Sequence, residues 1–265
     1  MRSVDTVTIK GVTIGNGRPW IISPIIGRTR QQIIKKAEEL TASPYVEFIE
    51  WRADCFENAA NQGLILDTLQ EIVNIAKSTP VIFAFRTQYE LGRFHITSKD
   101  YCQLNESVAA SGLADIIDIE LFSKAAEAIR IEAIKKCGCF VMGSYHDVKK
   151  TPSIDEMVSK LRQLQNRGAD ILKLAVTPQT KQDVQNLLTA TLVMHELYAQ
   201  SPIVTLSMSH MGTISRMVGE YFGSSMTYGT IGAPSEEGQL SVETLNAVLN
   251  IVHSALTRKE RIHDK

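Results

Sequence analysis

The chain has no charge excess of either sign. Lys and Arg number 28, Asp and Glu 29, and the formal net charge is −1 over 265 residues. A nucleic-acid surface needs a basic footprint, and the one dense basic stretch, Arg258-Lys259-Glu260-Arg261, reads as a solvated tail over 258–265. Long hydrophobic runs are also missing. The longest early one, Trp20 to Ile26, is too short to cross a membrane, contains Pro24, and does not read as the apolar stretch of a signal peptide. Cysteine is scarce. Neither Cys55, Cys102, Cys137 and Cys139 nor the histidines take a zinc spacing, so no metal is expected, and the four read as reduced thiols of a cytoplasmic protein. No linker or low-complexity segment divides the chain, which reads as one domain over 1–265. No Gly-x-Gly-x-x-Gly follows the first strand-like run, which weighs against a dinucleotide-binding fold.

What is present is a strong alternation. Hydrophobic residues make up 44% of the chain, enough for a large core. Strand-like runs fall at Trp20-Ile26, Tyr45-Cys55, Val81-Thr87, Ile116-Phe122, Cys139-His146, Ala169-Thr177, Ile203-Met208 and Met226-Ile231. Segments with apolar residues three and four apart lie between them, such as Leu64, Ile65, Leu69, Ile72, Val73 and Ala76. Another helix is expected to start at Thr151-Pro152, with Thr151 as cap, and a long one runs from Gln182 to Tyr198. Strand-helix repetition implies a parallel sheet, and eight units with strands apolar on both faces fit a closed (β/α)8 TIM barrel. Ahead of it, Val7-Thr8-Ile9 and Val12-Thr13-Ile14 flank Lys10-Gly11. Residues 1–17 therefore read as a hairpin able to plug the barrel's bottom.

Catalytic groups of such barrels gather at the C-terminal strand ends. Lys173 lies in the apolar run Ala169-Thr177, where an ammonium is expensive to bury and burial favours its neutral, nucleophilic form. His146 ends the preceding strand. Glu50 and Arg52, Arg86 with Glu90 in the next loop, and Asp118 with Glu120 fall on the matching face of their strands. Arg216 is expected to open the helix after the seventh strand. The segment 232–239, ending at Gln239, has the composition of a mobile cover. A lysine that can attack a ketone, beside a histidine and several arginines, suits imine chemistry on a small polyhydroxylated keto acid. The same residues have structural readings as well. Lys173 could be ion-paired with Glu50 or Glu120, and Arg52 and Arg86 could bridge barrel carboxylates such as Asp118 and Glu120. A class I aldolase shares the lysine, and a non-catalytic ligand-binding barrel shares the fold.

Several segments in order resemble the type I 3-dehydroquinate dehydratases of the shikimate pathway. They are Glu50-Trp51-Arg52 with Asp54, Phe85-Arg86-Thr87 with Glu90, Asp118-Ile119-Glu120-Leu121-Phe122, Ser144-Tyr145-His146-Asp147 with Thr151-Pro152, and Gly168-Ala169-Asp170-Ile171-Leu172-Lys173. Ser207-Met208-Ser209, Gly212-Thr213-Ile214-Ser215-Arg216 and 235–239 complete the set. The resemblance implies a cytoplasmic homodimer that binds 3-dehydroquinate and needs neither metal nor dissociable cofactor. It implies an imine on Lys173, His146 as general base and Glu90 orienting that histidine. Glu50, Arg52 and Arg86 would hold the substrate's polar edge, Met208 would pack beside the imine, and Arg216, Ser235 and Gln239 would grip the carboxylate. The chain departs from the family pattern at Leu91-Gly92, where two glycines are common, at His210, commonly lysine, and at Glu236-Glu237, commonly smaller residues.

Overall fold

Two consecutive positive-φ residues, Lys10 at +47° and Gly11 at +84°, reverse the chain between β1 (Val7–Ile9) and β2 (Val12–Ile14). That backbone hand matches the twist of a tight antiparallel hairpin, and Val7 pairs with Ile14 across it. The structure, a computed structural model, describes residues 4–234 and 237–258. Eight parallel strands follow the hairpin: β3 (Trp20–Ile25), β4 (Phe48–Arg52), β5 (Val81–Ala84), β6 (Ile116–Glu120), β7 (Phe140–Asp147), β8 (Ile171–Val176), β9 (Ile203–Ser207) and β10 (Met226–Thr230). A short β11 (Leu240–Ser241) extends alongside β10. From β3 to β9 each strand pairs with the next in sequence, and β10 pairs back onto β3. Closure between β9 and β10 comes from a bridge of Ile203 to Ser224, with the Ser225 amide donating to the Ile203 carbonyl at 2.7 Å. The closed (β/α)8 barrel and its N-terminal hairpin are therefore as the sequence predicts.

Strand alternation sorts the side chains. Ile22, Phe48, Ile82, Ile116, Met142, Ile171, Val204 and Met226 point inward at the N-terminal ends and pack with Val7, Ile9 and Ile14 of the hairpin in one apolar cluster. The hairpin closes the barrel floor and leaves only the opposite end open. Outward residues such as Trp51, Phe83, Ile117, Leu172 and Leu174 pack under the surrounding helices. Among these helices are α1 (Arg30–Thr41), α2 (Gln62–Ala76), α3 (Ser98–Ser111), α4 (Ile131–Lys136), α5 (Ile154–Asn166), α6 (Lys181–Leu197), α7 (Thr213–Met217), α8 (Gly219–Phe222) and α9 (Val242–Thr257).

Three helix expectations shift. α5 starts at Ile154 and not at Pro152, because Ser153 accepts from the Glu156 amide while Glu156 accepts from the Ser153 amide. That reciprocal box satisfies two otherwise orphaned donors, and Thr151 donates instead to the Thr177 carbonyl at 3.1 Å. α6 is capped by Thr180 and lies one residue earlier at each end than Gln182 to Tyr198. Arg216 is the fourth residue of α7 and not its first. Of the proposed tail, all but Arg258 lies outside the described residues. No helix among the described residues is long and apolar enough to cross a membrane.

Candidate active site

One step above the apolar floor, the inward positions turn ionic. Glu50 on β4, Asp118 on β6, Ser144 on β7, Lys173 on β8 and Tyr228 on β10 are all buried. Register sets the layer: Ala84 pairs with Asp118 and Ser144 with Lys173. Lys173 Nζ, on a side chain 3% exposed, donates to Asp118 Oδ2 at 2.9 Å, Glu50 Oε2 at 3.2 Å and Tyr228 Oη at 2.6 Å. Tyr228 donates in turn to Glu50 Oε2 at 2.5 Å. The lysine's carboxylate partners are thus Glu50 and Asp118. Glu120 is turned away, accepting from the Thr87 amide at 2.9 Å and from Thr87 Oγ1 at 2.5 Å.

Arg86 is the hub of the next layer. Its Nη1 lies 3.1 Å from Ser144 Oγ, 3.3 Å from Glu120 and 3.5 Å from Glu90, and its Nη2 lies 3.2 Å from Asp118 Oδ2. Buried guanidinium charge is tolerable only when compensated in this way. His146 Nδ1 stands 2.7 Å from Glu90 Oε2 and 3.2 Å from Arg86 Nη1; with Glu90 ionised, Nδ1–H is directed at the carboxylate and Nε2 keeps its lone pair. The segment carrying Glu90 is tightly folded. A Cβ on Gly92 would fall 1.8 Å from the Arg86 carbonyl, while the Gly92 amide donates to the Thr87 carbonyl at 2.8 Å. Leu91 takes the left-handed φ of +63°, a strain of roughly 1–2 kcal/mol for a non-glycine, and the residue is 69% exposed. Arg52 bridges Asp54 in bidentate fashion at 2.7 and 2.9 Å.

These groups surround a cavity of about 210 Å³ at the open end of the barrel. Glu50, Arg52, Arg86, Glu90, His146 and Lys173 line it, and so do Tyr228, Met208 and Gln239. Arg216, fully buried on α7, is not among its lining residues. Ser235 and Glu236 lie outside the described residues, while Glu237 and His210 are exposed.

Burial disfavours charge on His146, and the Arg86 and Lys173 cations add to this, so its pKa falls well below the ordinary histidine value. The ring rests neutral, as a base requires. Glu90 moves the other way, pushed well up by burial and by Glu120. A carboxylate of raised proton affinity against Nδ1 can neutralise the imidazolium formed when Nε2 accepts a proton. Burial opposes ionisation of Asp118 too, but Arg86 and Lys173 outweigh it and hold that carboxyl below its usual range.

Sequence reasoning missed Tyr228. The available signal was its position in the eighth strand, on the same inward parity as Met226, where a phenol cannot stay buried without a hydrogen-bond partner. Asp118 is an arginine partner, as the sequence suggests, and it also holds Lys173.

The closed parallel barrel with an ionic pocket at the C-terminal strand ends defines a (β/α)8-barrel enzyme. The family model for type I 3-dehydroquinase matches residues 21–255. A 3-dehydroquinate dehydratase of Clostridioides difficile is 43% identical over 252 residues, 94% of this chain and 98% of that protein. One of Salmonella typhimurium is 41% identical over 253 residues, 95% of this chain and 100% of that protein. The crystal structure of a type I 3-dehydroquinate dehydratase from Clostridium difficile with covalent modified comenic acid superposes with a TM-score of 0.91 at 42% identity, covering 96% of this chain and 100% of the other. The 3-dehydroquinate dehydratase of Geobacillus kaustophilus superposes at 0.89 with 30% identity, over 97% and 99%. The chain belongs to the type I 3-dehydroquinase family.

Proposed function

We propose that this protein dehydrates 3-dehydroquinate to 3-dehydroshikimate, a shikimate-pathway step, through an imine on Lys173. The observation that carries this reading is the pairing of a buried lysine at the base of the cavity with a neutral histidine on the adjacent strand. Lys173 Nζ adds to the C3 ketone, and loss of water gives a protonated imine. The imine withdraws electrons from C2, so His146 Nε2 can remove the C2 proton. The electron pair then forms the C1–C2 double bond as the C1 hydroxyl departs, protonated by the imidazolium. Hydrolysis of the imine releases product and restores the lysine. The lysine itself supplies the electron sink, so this chemistry calls for no metal or dissociable cofactor.

Arg86 balances the carboxylates around both groups, and Glu90 holds His146 in the base tautomer. Glu50, Arg52, Met208 and Gln239 line the volume the substrate would fill. In this reading Arg216 and Ser235 hold the substrate carboxylate, which requires Arg216 to reach the cavity from its buried position on α7. The clostridial relative was crystallised with covalent modified comenic acid, which supports a covalent chemistry for the family fold. Incubation with 3-dehydroquinate followed by borohydride reduction and peptide mass spectrometry is expected to place one adduct on Lys173. A folded protein that consumes the ketone without any adduct would rule the imine out.

The reading also includes a cytoplasmic homodimer. Four free cysteines suit a reducing compartment. Met211, Ile214, Tyr221 and Ile251 place exposed apolar side chains on or beside α7, α8 and α9, which supports self-association there. Sedimentation equilibrium at micromolar protein is expected to give the dimer mass, and a monomer at all concentrations would remove that part.

A further inference from the structure

Tyr228 has no place in the mechanism above, yet it is the hydroxyl in direct contact with the reacting nitrogen. Its Oη accepts from Lys173 Nζ at 2.6 Å and donates to Glu50 Oε2 at 2.5 Å. Both legs are shorter than the direct contact of Lys173 Nζ with the same carboxylate oxygen, 3.2 Å. Ring and ammonium are also close, with Nζ 4.7 Å from the ring centroid. All three groups are buried and line the cavity, and the phenol bridges the two charged groups through shorter contacts than their direct one. We propose that Tyr228 is a further catalytic residue, the relay that carries a proton from Lys173 Nζ to Glu50 before imine formation and returns it to the oxygen that leaves as water.

The proposal rests on the imine reading, and its proton balance closes within the site. An ammonium cannot attack a ketone, so Lys173 must first lose a proton. As Nζ–H passes to Oη, the phenolic proton passes to Glu50, leaving a neutral amine, an intact phenol and a protonated carboxyl. The amine adds to the ketone carbon, and one N–H proton moves to the former carbonyl oxygen to give the carbinolamine. The C–O bond then breaks with the proton stored on Glu50, transferred back through the phenol. The three protons of the starting ammonium end as one on the protonated imine and two on water, and Glu50 is a carboxylate again. Burial, then Glu50 and Asp118, push the phenol well above its ordinary pKa. Tyr228 therefore stays neutral and passes protons through without holding a charge.

Rapid-quench borohydride trapping of the adduct on Lys173, in light and heavy water, tests this on the intact protein. Tyr228→Phe keeps the ring and removes only the relay oxygen. It is expected to slow adduct formation on the order of 10²-fold, the low end for loss of a positioned acid-base group because the direct contact to Glu50 remains. The solvent deuterium isotope effect on this step should fall as well. Glu50→Gln can accept the phenol's hydrogen bond but not its proton, so it should slow the same step. The double variant should then be no slower than the slower single, as expected of residues acting in one path. Trapping at the wild-type rate in Tyr228→Phe overturns the relay. Slower trapping with an unchanged isotope effect also overturns it, since the hydroxyl would then only hold Lys173 in place. A wild-type protein that gives no adduct removes the imine reading and the relay together, whereas wild-type trapping with an unaffected Tyr228→Phe removes the relay alone.

Discussion

Lys173→Met is expected to abolish both the borohydride-trapped adduct and turnover of 3-dehydroquinate, by on the order of 10⁴-fold or more. Removal of a catalytic nucleophile leaves only the binding and acid-base contributions of the site. Methionine is the informative replacement because it keeps the length of the side chain. Alanine would add a void beside Tyr228 to the loss of the charge. Either change leaves Asp118 and Glu50 without their ammonium. Breaking a buried ion pair from one side costs roughly 3–5 kcal/mol, but Asp118 retains Arg86 at 3.2 Å and Ser144 at 2.5 Å, so the variant should fold with a lowered melting temperature. The sign of the pH dependence follows. Asp118 is held below its usual range partly by Lys173, and that stabilisation is present only where the carboxyl is ionised. The stability gap between wild type and variant should therefore be widest near neutral pH and narrow as acid protonates the carboxylates. Retained turnover in a folded Lys173→Met protein would leave the lysine as an ion-pair partner only.

The barrel was legible because its signal is repeated eight times and each repeat is local. A strand apolar on both faces followed by a helix of three- and four-residue spacing needs no knowledge of distant residues. Parity along each strand also puts Glu50, Arg86, His146 and Lys173 on the inward face from sequence alone. Pairing was less legible, because it depends on reach across the barrel and not on sequence spacing. Lys173 meets Asp118 and Glu50 through side chains 55 and 123 residues away, and nothing along the chain distinguishes Glu120 from Glu50 as its partner. What separates them is that Glu120 is already satisfied by the Thr87 amide and hydroxyl. Tyr228 was passed over for a related reason. A single aromatic residue in an apolar strand reads as packing until its hydroxyl is seen between two charges. The α5 start failed more simply. Thr151-Pro152 and Ser153-x-x-Glu156 are competing start signals two residues apart, and the second satisfies two amides where the first satisfies one.

His146→Ala should separate the two halves of the reaction that Lys173→Met removes together. The amine, Tyr228 and Glu50 stay in place, so an adduct on Lys173 still forms. Abstraction of the C2 proton then lacks its base, and turnover should drop on the order of 10²- to 10⁴-fold. The readout is the mass of the trapped species. Wild type under turnover should yield a mixture of substrate-derived and product-derived adducts, whereas the variant should accumulate the substrate-derived one. The fold should tolerate the change. Glu90 keeps Arg86 Nη1 at 3.5 Å, and Glu90 is pushed upward by burial, so it can hold a proton in place of the lost imidazole contact. Truncation also opens a space against the cavity where the ring stood. Added imidazole is therefore expected to restore part of the elimination rate without changing the rate of adduct formation. Near-wild-type turnover in His146→Ala would move the base to another residue, and the pairing of a neutral ring with the carboxylate of Glu90 would then be structural.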